Sequence, residues 1–245
     1  MKRIMFSFFS LLLLSLPVNA ETLRLAVAAN FTAVLEQLVT TFDPEQQHDI
    51  SISSASTGVL YTQITRGAPF DIFFAADRAR PERLEAEGLI LPGSRRTYAI
   101  GQLALWQPKH APQSVTDLLP GRLAIANPDT APYGLAAQQT LQANGQWEPK
   151  RLVQGTNIAQ AYQFVDSGNV DQGFVALSLL LQQQVPAKHW VAVPEHLHDP
   201  IEQQLVQLKR SENNPLAERF LLFLSTPTAR ELIKQRGYGI VDAAH

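Results

Sequence analysis

Leu23-Arg24-Leu25-Ala26-Val27-Ala28-Ala29-Asn30-Phe31-Thr32 reads as a short strand running straight into a helix start. Apolar residues alternate through Leu23, Leu25 and Val27. The spacing then changes to the helical period, with Phe31, Val34, Leu35, Leu38, Val39 and Phe42 on one face. Asn30 sits at the junction, where the first backbone N–H groups of a helix lack internal partners and can hold an anion. A strand that feeds a helix directly is the unit of an α/β fold.

The same unit recurs outward from this stretch. Residues 50–54 and 71–75 read as strands, and 59–65 as a helix. Asp77 is placed to cap a helix that carries Pro81 in an early turn. Residues 98–106 read as one strand through Ile100, Leu103 and Leu105. A second set follows, with strands at 122–126, 152–153, 172–176 and 190–193, and helices at 133–143, 158–167 and 177–184. Residues 201–209 return as strand, and helices at 215–225 and 228–235 close the chain. Such alternation predicts mixed, mostly parallel sheets with helices on both faces. Two lobes are expected, 21–100 plus 201–245 and 101–200, joined by two strand-like crossings near Ile100 and Ile201. A cleft between lobes is a common ligand site.

Residues 1–20 read as a removable leader. Lys2 and Arg3 precede a short apolar run from Phe6 to Leu16, and Val18 and Ala20 fit a cleavage site after Ala20. The run falls short of the roughly 20 apolar residues of a membrane span. The expected compartment is the periplasm. The chain has no cysteine, which excludes disulfides, thiolate metal sites and a lipid-attachment cysteine. Without Lys2 and Arg3 the balance is 18 basic to 22 acidic residues, a net of −4. That balance argues against a nucleic-acid partner, and it makes any anion site a local matter.

Four helix starts stand out: Ala29-Asn30-Phe31, Ser56-Thr57-Gly58, Ala131-Pro132-Tyr133-Gly134 and Thr156-Asn157-Ile158. All fall at carboxyl ends of predicted strands, where doubly wound sheets place their ligands. Each helix start carries roughly +0.5 charge, so four supply roughly +2, the scale of a tetrahedral dianion. The Asn30 amide, the Ser56 and Thr57 hydroxyls, the Tyr133 phenol, and Thr156 or Asn157 add neutral donors. None of the four segments contains lysine or arginine. The plainer reading is that Ser, Thr and Asn are ordinary helix caps in any α/β protein.

Five stretches, in order along the chain, resemble the periplasmic molybdate-binding proteins, the soluble receptors of molybdate ABC transporters. They are residues 28–32, 56–64, 66–77 (Arg-Gly-Ala-Pro-Phe-Asp-Ile-Phe-Phe-Ala-Ala-Asp), 127–134 and 235–240. The resemblance implies a two-lobed type II periplasmic binding fold without catalysis or cofactor. It also implies a buried molybdate or tungstate oxyanion and a membrane permease as partner, with a monomeric receptor expected. Carried over by position, the ligand residues are Asn30, Ser56, Thr57, Tyr133 and Ile158, the last through its backbone N–H. Ala176 stands where some relatives place a binding tyrosine, and Tyr133 is the expected replacement. A receptor for another tetrahedral oxyanion such as sulfate is the nearest alternative. An exported hydrolase is a remote one.

Other candidates are weaker. His196 and His198 with Glu195 and Asp199 have the composition of a metal site, yet the segment reads as a solvated loop. No HExxH, GxSxG or P-loop motif occurs. Asp71 and Asp77 read as a structural partner and a cap rather than a carboxylate pair.

Overall fold

The computed structural model describes residues 21–240. The opening run forms β1 (Thr22–Ala28), a single 3-10 turn over Ala29–Phe31, and α1 (Thr32–Phe42). The chain continues through β2 (Asp49–Ala55), α2 (Thr57–Thr65), β3 (Ile72–Phe74), α3 (Ala79–Ala86) and β4 (Arg96–Gly101). A second set comprises β5 (Leu103–Trp106), β6 (Leu123–Ala126), α4 (Pro132–Ala143), β7 (Leu152–Gly155), α5 (Ile158–Asp166), β8 (Gly173–Ala176), α6 (Leu177–Gln182) and β9 (Trp190–Ala192). β10 (Ile201–Gln207), α7 (Pro215–Leu224) and α8 (Pro227–Gln235) complete the order. The leader and its cleavage position lie outside the described residues. None of the described helices is long and apolar enough to cross a membrane.

The strands form two five-stranded sheets, β2-β1-β3-β10-β4 and β7-β6-β8-β5-β9. Both are mixed, and evenly so rather than mostly parallel. β1 runs parallel to β2 and β3, and β6 parallel to β7 and β8, whereas β10 and β5 run antiparallel to both their neighbours. The antiparallel strands carry or adjoin the crossings. The chain leaves the first sheet after Gly101 and returns after Ala192 into β10, where Ile201 pairs with Gly101. The two crossings therefore start and end side by side.

Two further sequence expectations change here. Residues 98–106 form two strands in different sheets, broken at Gln102. Asp77 is not the N-cap of α3; Arg78 holds that position. The Asp77 carboxylate still accepts the Arg80 N–H at 2.9 Å, so it caps from one residue further out.

Packing explains why the ends return to the first sheet. Leu216, Phe220 and Ile233 from the closing helices join Leu23, Leu25 and Phe31 in one buried cluster. Fully burying such side chains contributes about 1.5–3 kcal/mol each. Phe31 lies at the centre of an aromatic group, its ring 4.7 Å from Tyr98 and 5.3 Å from Tyr238. This anchors the 3-10 turn that carries Asn30. The second sheet has its own core around Leu103, Leu105, Ile125 and Phe174.

Candidate functional site

Strand register brings the four helix starts together. Ala28 pairs with Ala55 at the carboxyl ends of β1 and β2, so Asn30 and the Ser56-Thr57 pair emerge side by side. Ala126 pairs with Gly155 at the ends of β6 and β7, which does the same for Tyr133 and Ile158. All five residues singled out from the sequence line one cavity between the sheets, with room of only about 10 Å3, together with Ala28, Ala29, Ala76, Ala131, Pro132 and Asn157. Pockets for organic ligands usually span about 300–1,000 Å3, so this space is far too small for one. None of its lining residues is charged.

The donors differ in how they are held. The Thr57 hydroxyl accepts the Ala76 N–H at 3.0 Å, which leaves its own hydrogen to give. The Tyr133 phenol accepts from Gln203 Nε2 at 3.1 Å and likewise keeps its hydrogen. Ser56 precedes α2 without capping it, and its buried Oγ has no partner. Asn157 caps α5 by accepting the Gln160 N–H at 3.0 Å. Its side-chain oxygen is thus engaged in the cap, and Ile158, the first residue of α5, lines the cavity beside it.

Asn30 is arranged differently from the expectation that its amide faces a ligand. Its Nδ2 donates to Gln203 Oε1 at 2.9 Å and to Tyr238 at 3.1 Å, both inside the protein. Tyr238 donates back to the Asn30 carbonyl oxygen at 2.7 Å. A buried amide must satisfy its hydrogens on whatever surrounds it, and here that is the first lobe's interior. The Asn30 side chain therefore fixes the turn.

Sequence reading missed Gln203, Tyr98, Tyr238 and Ser178, which support the cavity from behind. Tyr98 donates to Gln203 Oε1 at 3.0 Å, and the Tyr238 hydroxyl lies 3.0 Å from Ser178 Oγ. Burial raises the pKa values of Tyr98 and Tyr133 well above the usual phenol value, and that of Tyr238 to about 12. All three keep their hydrogens at neutral pH.

Contacts also join the two sheets at the rim. Gly58 N–H donates to Thr130 O at 2.9 Å, and Arg80, paired with Asp77 at 2.6 Å, donates to Asp129 O at 3.0 Å. Ala176 lies in the same buried cluster as Tyr133 and supplies no polar group. The segment around His196 and His198 is tied down by Gln139, which bonds Asp199 twice. Among the described residues, no three His, Asp or Glu side chains are grouped to hold a metal ion.

Residues 23–239 match the family described as bacterial extracellular solute-binding protein. The molybdate-binding protein of Azotobacter vinelandii is 43% identical over 239 residues, 93% of this chain and 94% of that one. Its counterpart from Rhodobacter capsulatus is 40% identical over 233 residues, 92% and 91% of the two chains. The solved structure of the periplasmic molybdate-binding protein of Azotobacter vinelandii aligns with a TM-score of 0.84 at 37% identity, covering 90% of this chain and all 100% of that one. A sulfate-binding protein of Mycobacterium tuberculosis shares the fold, with a TM-score of 0.72 at 14% identity over 91% and 88% of the chains.

Proposed function

This chain belongs to the bacterial extracellular solute-binding proteins, among the molybdate-binding proteins, and from that premise we propose that it is a periplasmic receptor that binds molybdate and delivers it to the permease of an ABC transporter. One observation carries the reading to this chain's own residues. A small cavity with no charged lining residue is lined by four helix starts, two from each sheet. Roughly +0.5 charge per helix start gives about +2 in all, which matches a tetrahedral dianion without a lysine or arginine.

In this reading the lobes are residues 21–100 with 201–245, and 101–200. The ligand oxygens accept from the Ser56, Thr57 and Tyr133 hydroxyls and from main-chain N–H groups at Asn30 and Ile158. Hydrogen bonds to a charged acceptor contribute about 1.5–3 kcal/mol each, and together they offset the loss of water around the ion. The lobes close on the ion about the paired crossings at Gly101 and Ile201, a hinge motion common to such receptors. Tungstate binds the same way, since it presents the same tetrahedral oxygens. The receptor acts as a monomer, without catalysis or cofactor, after cleavage of the leader behind Ala20.

Calorimetric titration with molybdate, tungstate, sulfate and phosphate tests this. Tight binding of molybdate and tungstate, with sulfate and phosphate much weaker, is the expected result. A response to sulfate with none to molybdate overturns the assignment.

A further inference from the structure

We propose that Gln203 is a positioning residue that turns the Tyr133 hydroxyl hydrogen toward the bound anion. This rests on the reading of the cavity as the molybdate site. A phenol is both donor and acceptor, so a tyrosine in an anion site helps only if its hydrogen points at the ligand. Gln203 is completely buried on the first sheet's return strand, and Tyr133 lies in the first turn of α4, beside the second sheet. Gln203 Nε2 donates to the phenolic oxygen at 3.1 Å, which engages a lone pair and leaves the hydrogen for the cavity.

The amide is held in that orientation by its other end. Oε1 accepts from Asn30 Nδ2 at 2.9 Å and from the Tyr98 hydroxyl at 3.0 Å. Rotating the amide by half a turn sets its NH2 against the Asn30 NH2, donor against donor. The backbone leaves room for this arrangement at one place. A Cβ on Gly101 would lie 2.3 Å from the Tyr133 oxygen and 2.7 Å from Gln203 Nε2. The crossing thus passes the hydrogen bond only because residue 101 lacks a side chain. One amide in this way orders a donor on the second sheet from a position on the first.

The test is a double-substitution cycle on the full chain, with Gln203→Met, Tyr133→Phe and both together. Molybdate affinity is read by calorimetry and ligand-free stability by thermal melting. Gln203→Met alone is expected to weaken binding roughly 10- to 150-fold, the span for one hydrogen bond to a charged group. In the Tyr133→Phe background the same change is expected to matter less than about 3-fold, because the hydroxyl it directs is gone. A merely structural role lowers affinity equally in both backgrounds, and that result overturns the proposal. Gln203→Glu serves as the near-isosteric second variant. Its carboxylate only accepts, so it draws the phenol hydrogen away from the ligand, and affinity is expected to fall below that of Tyr133→Phe. Wild-type affinity in Gln203→Glu overturns the proposal alone. Failure of the unaltered protein to bind molybdate overturns the cavity reading and this inference with it.

Discussion

Replacing Ser56 by alanine is expected to raise stability and lower affinity at once. A serine before a helix ordinarily accepts a backbone N–H, and its loss costs about 0.5–2 kcal/mol. Ser56 makes no such bond; its Oγ is buried without a partner, in a residue only 4% exposed. A buried hydroxyl lacking a hydrogen bond is unfavourable by about 1–3 kcal/mol in proteins. Removing it therefore stabilises the ligand-free protein by about 1 kcal/mol, or about 2–4 °C in melting temperature for a chain of this length. In the proposed complex the same hydroxyl gives its hydrogen to a charged oxygen, so its loss is expected to weaken binding roughly 10- to 150-fold. Melting without ligand and calorimetry with molybdate read the two effects separately. A lower melting temperature with unchanged affinity would refute the reasoning, because it would make Ser56 an ordinary cap.

Thr57→Val should move both quantities down. The buried Ala76 N–H loses its acceptor, at a cost of about 1–3 kcal/mol, while Thr57→Ser should preserve stability and affinity; chemical denaturation and calorimetry distinguish the pair. Gly101→Ala should weaken molybdate binding and lower the melting temperature, since the added carbon would sit 2.3 Å from the Tyr133 oxygen, and overpacking of a tight interior costs about 1–3 kcal/mol. The pH dependence follows from the buried phenols. Tyr238 holds its hydrogen up to about 12 in the folded chain, against 10.0 when free, with Tyr98 and Tyr133 shifted in the same direction. A raised phenol value favours the folded state fully below pH 10, and the advantage is lost as pH climbs toward the folded value. Urea unfolding at pH 8, 10 and 11 should show stability level at first and then falling; a rise above pH 10 would contradict it.

The strand–helix junctions were legible because their signals are local. A change from period two to helical spacing marks each start, and register at the strand ends does the rest. The break at Gln102 was also present in the residues, as a change of parity: Tyr98 and Ile100 are even, Leu103 and Leu105 odd. A strand keeping one face to the core does not make that shift without an interruption. The network behind the cavity carried no comparable signal. Asn30 reaches Gln203 across 173 residues and Tyr238 across 208. Gln203 sits in a strand buried on both faces, where a polar residue reads as the solvent side of an alternating pattern. The orientation of the Asn30 amide was hidden for the same reason, because its partners come from the far end of the chain.

The uncharged lining of the cavity has a consequence beyond selectivity. Salt in the surrounding fluid weakens attraction between exposed charges over distances of about 10 Å at 0.1 M. In the proposed site the ion meets hydroxyls and main-chain N–H groups inside the protein, and none of the lining residues is a cation to be masked. On that reading capture depends little on ionic strength, which suits the proposed periplasmic setting, whose salinity follows the outside medium.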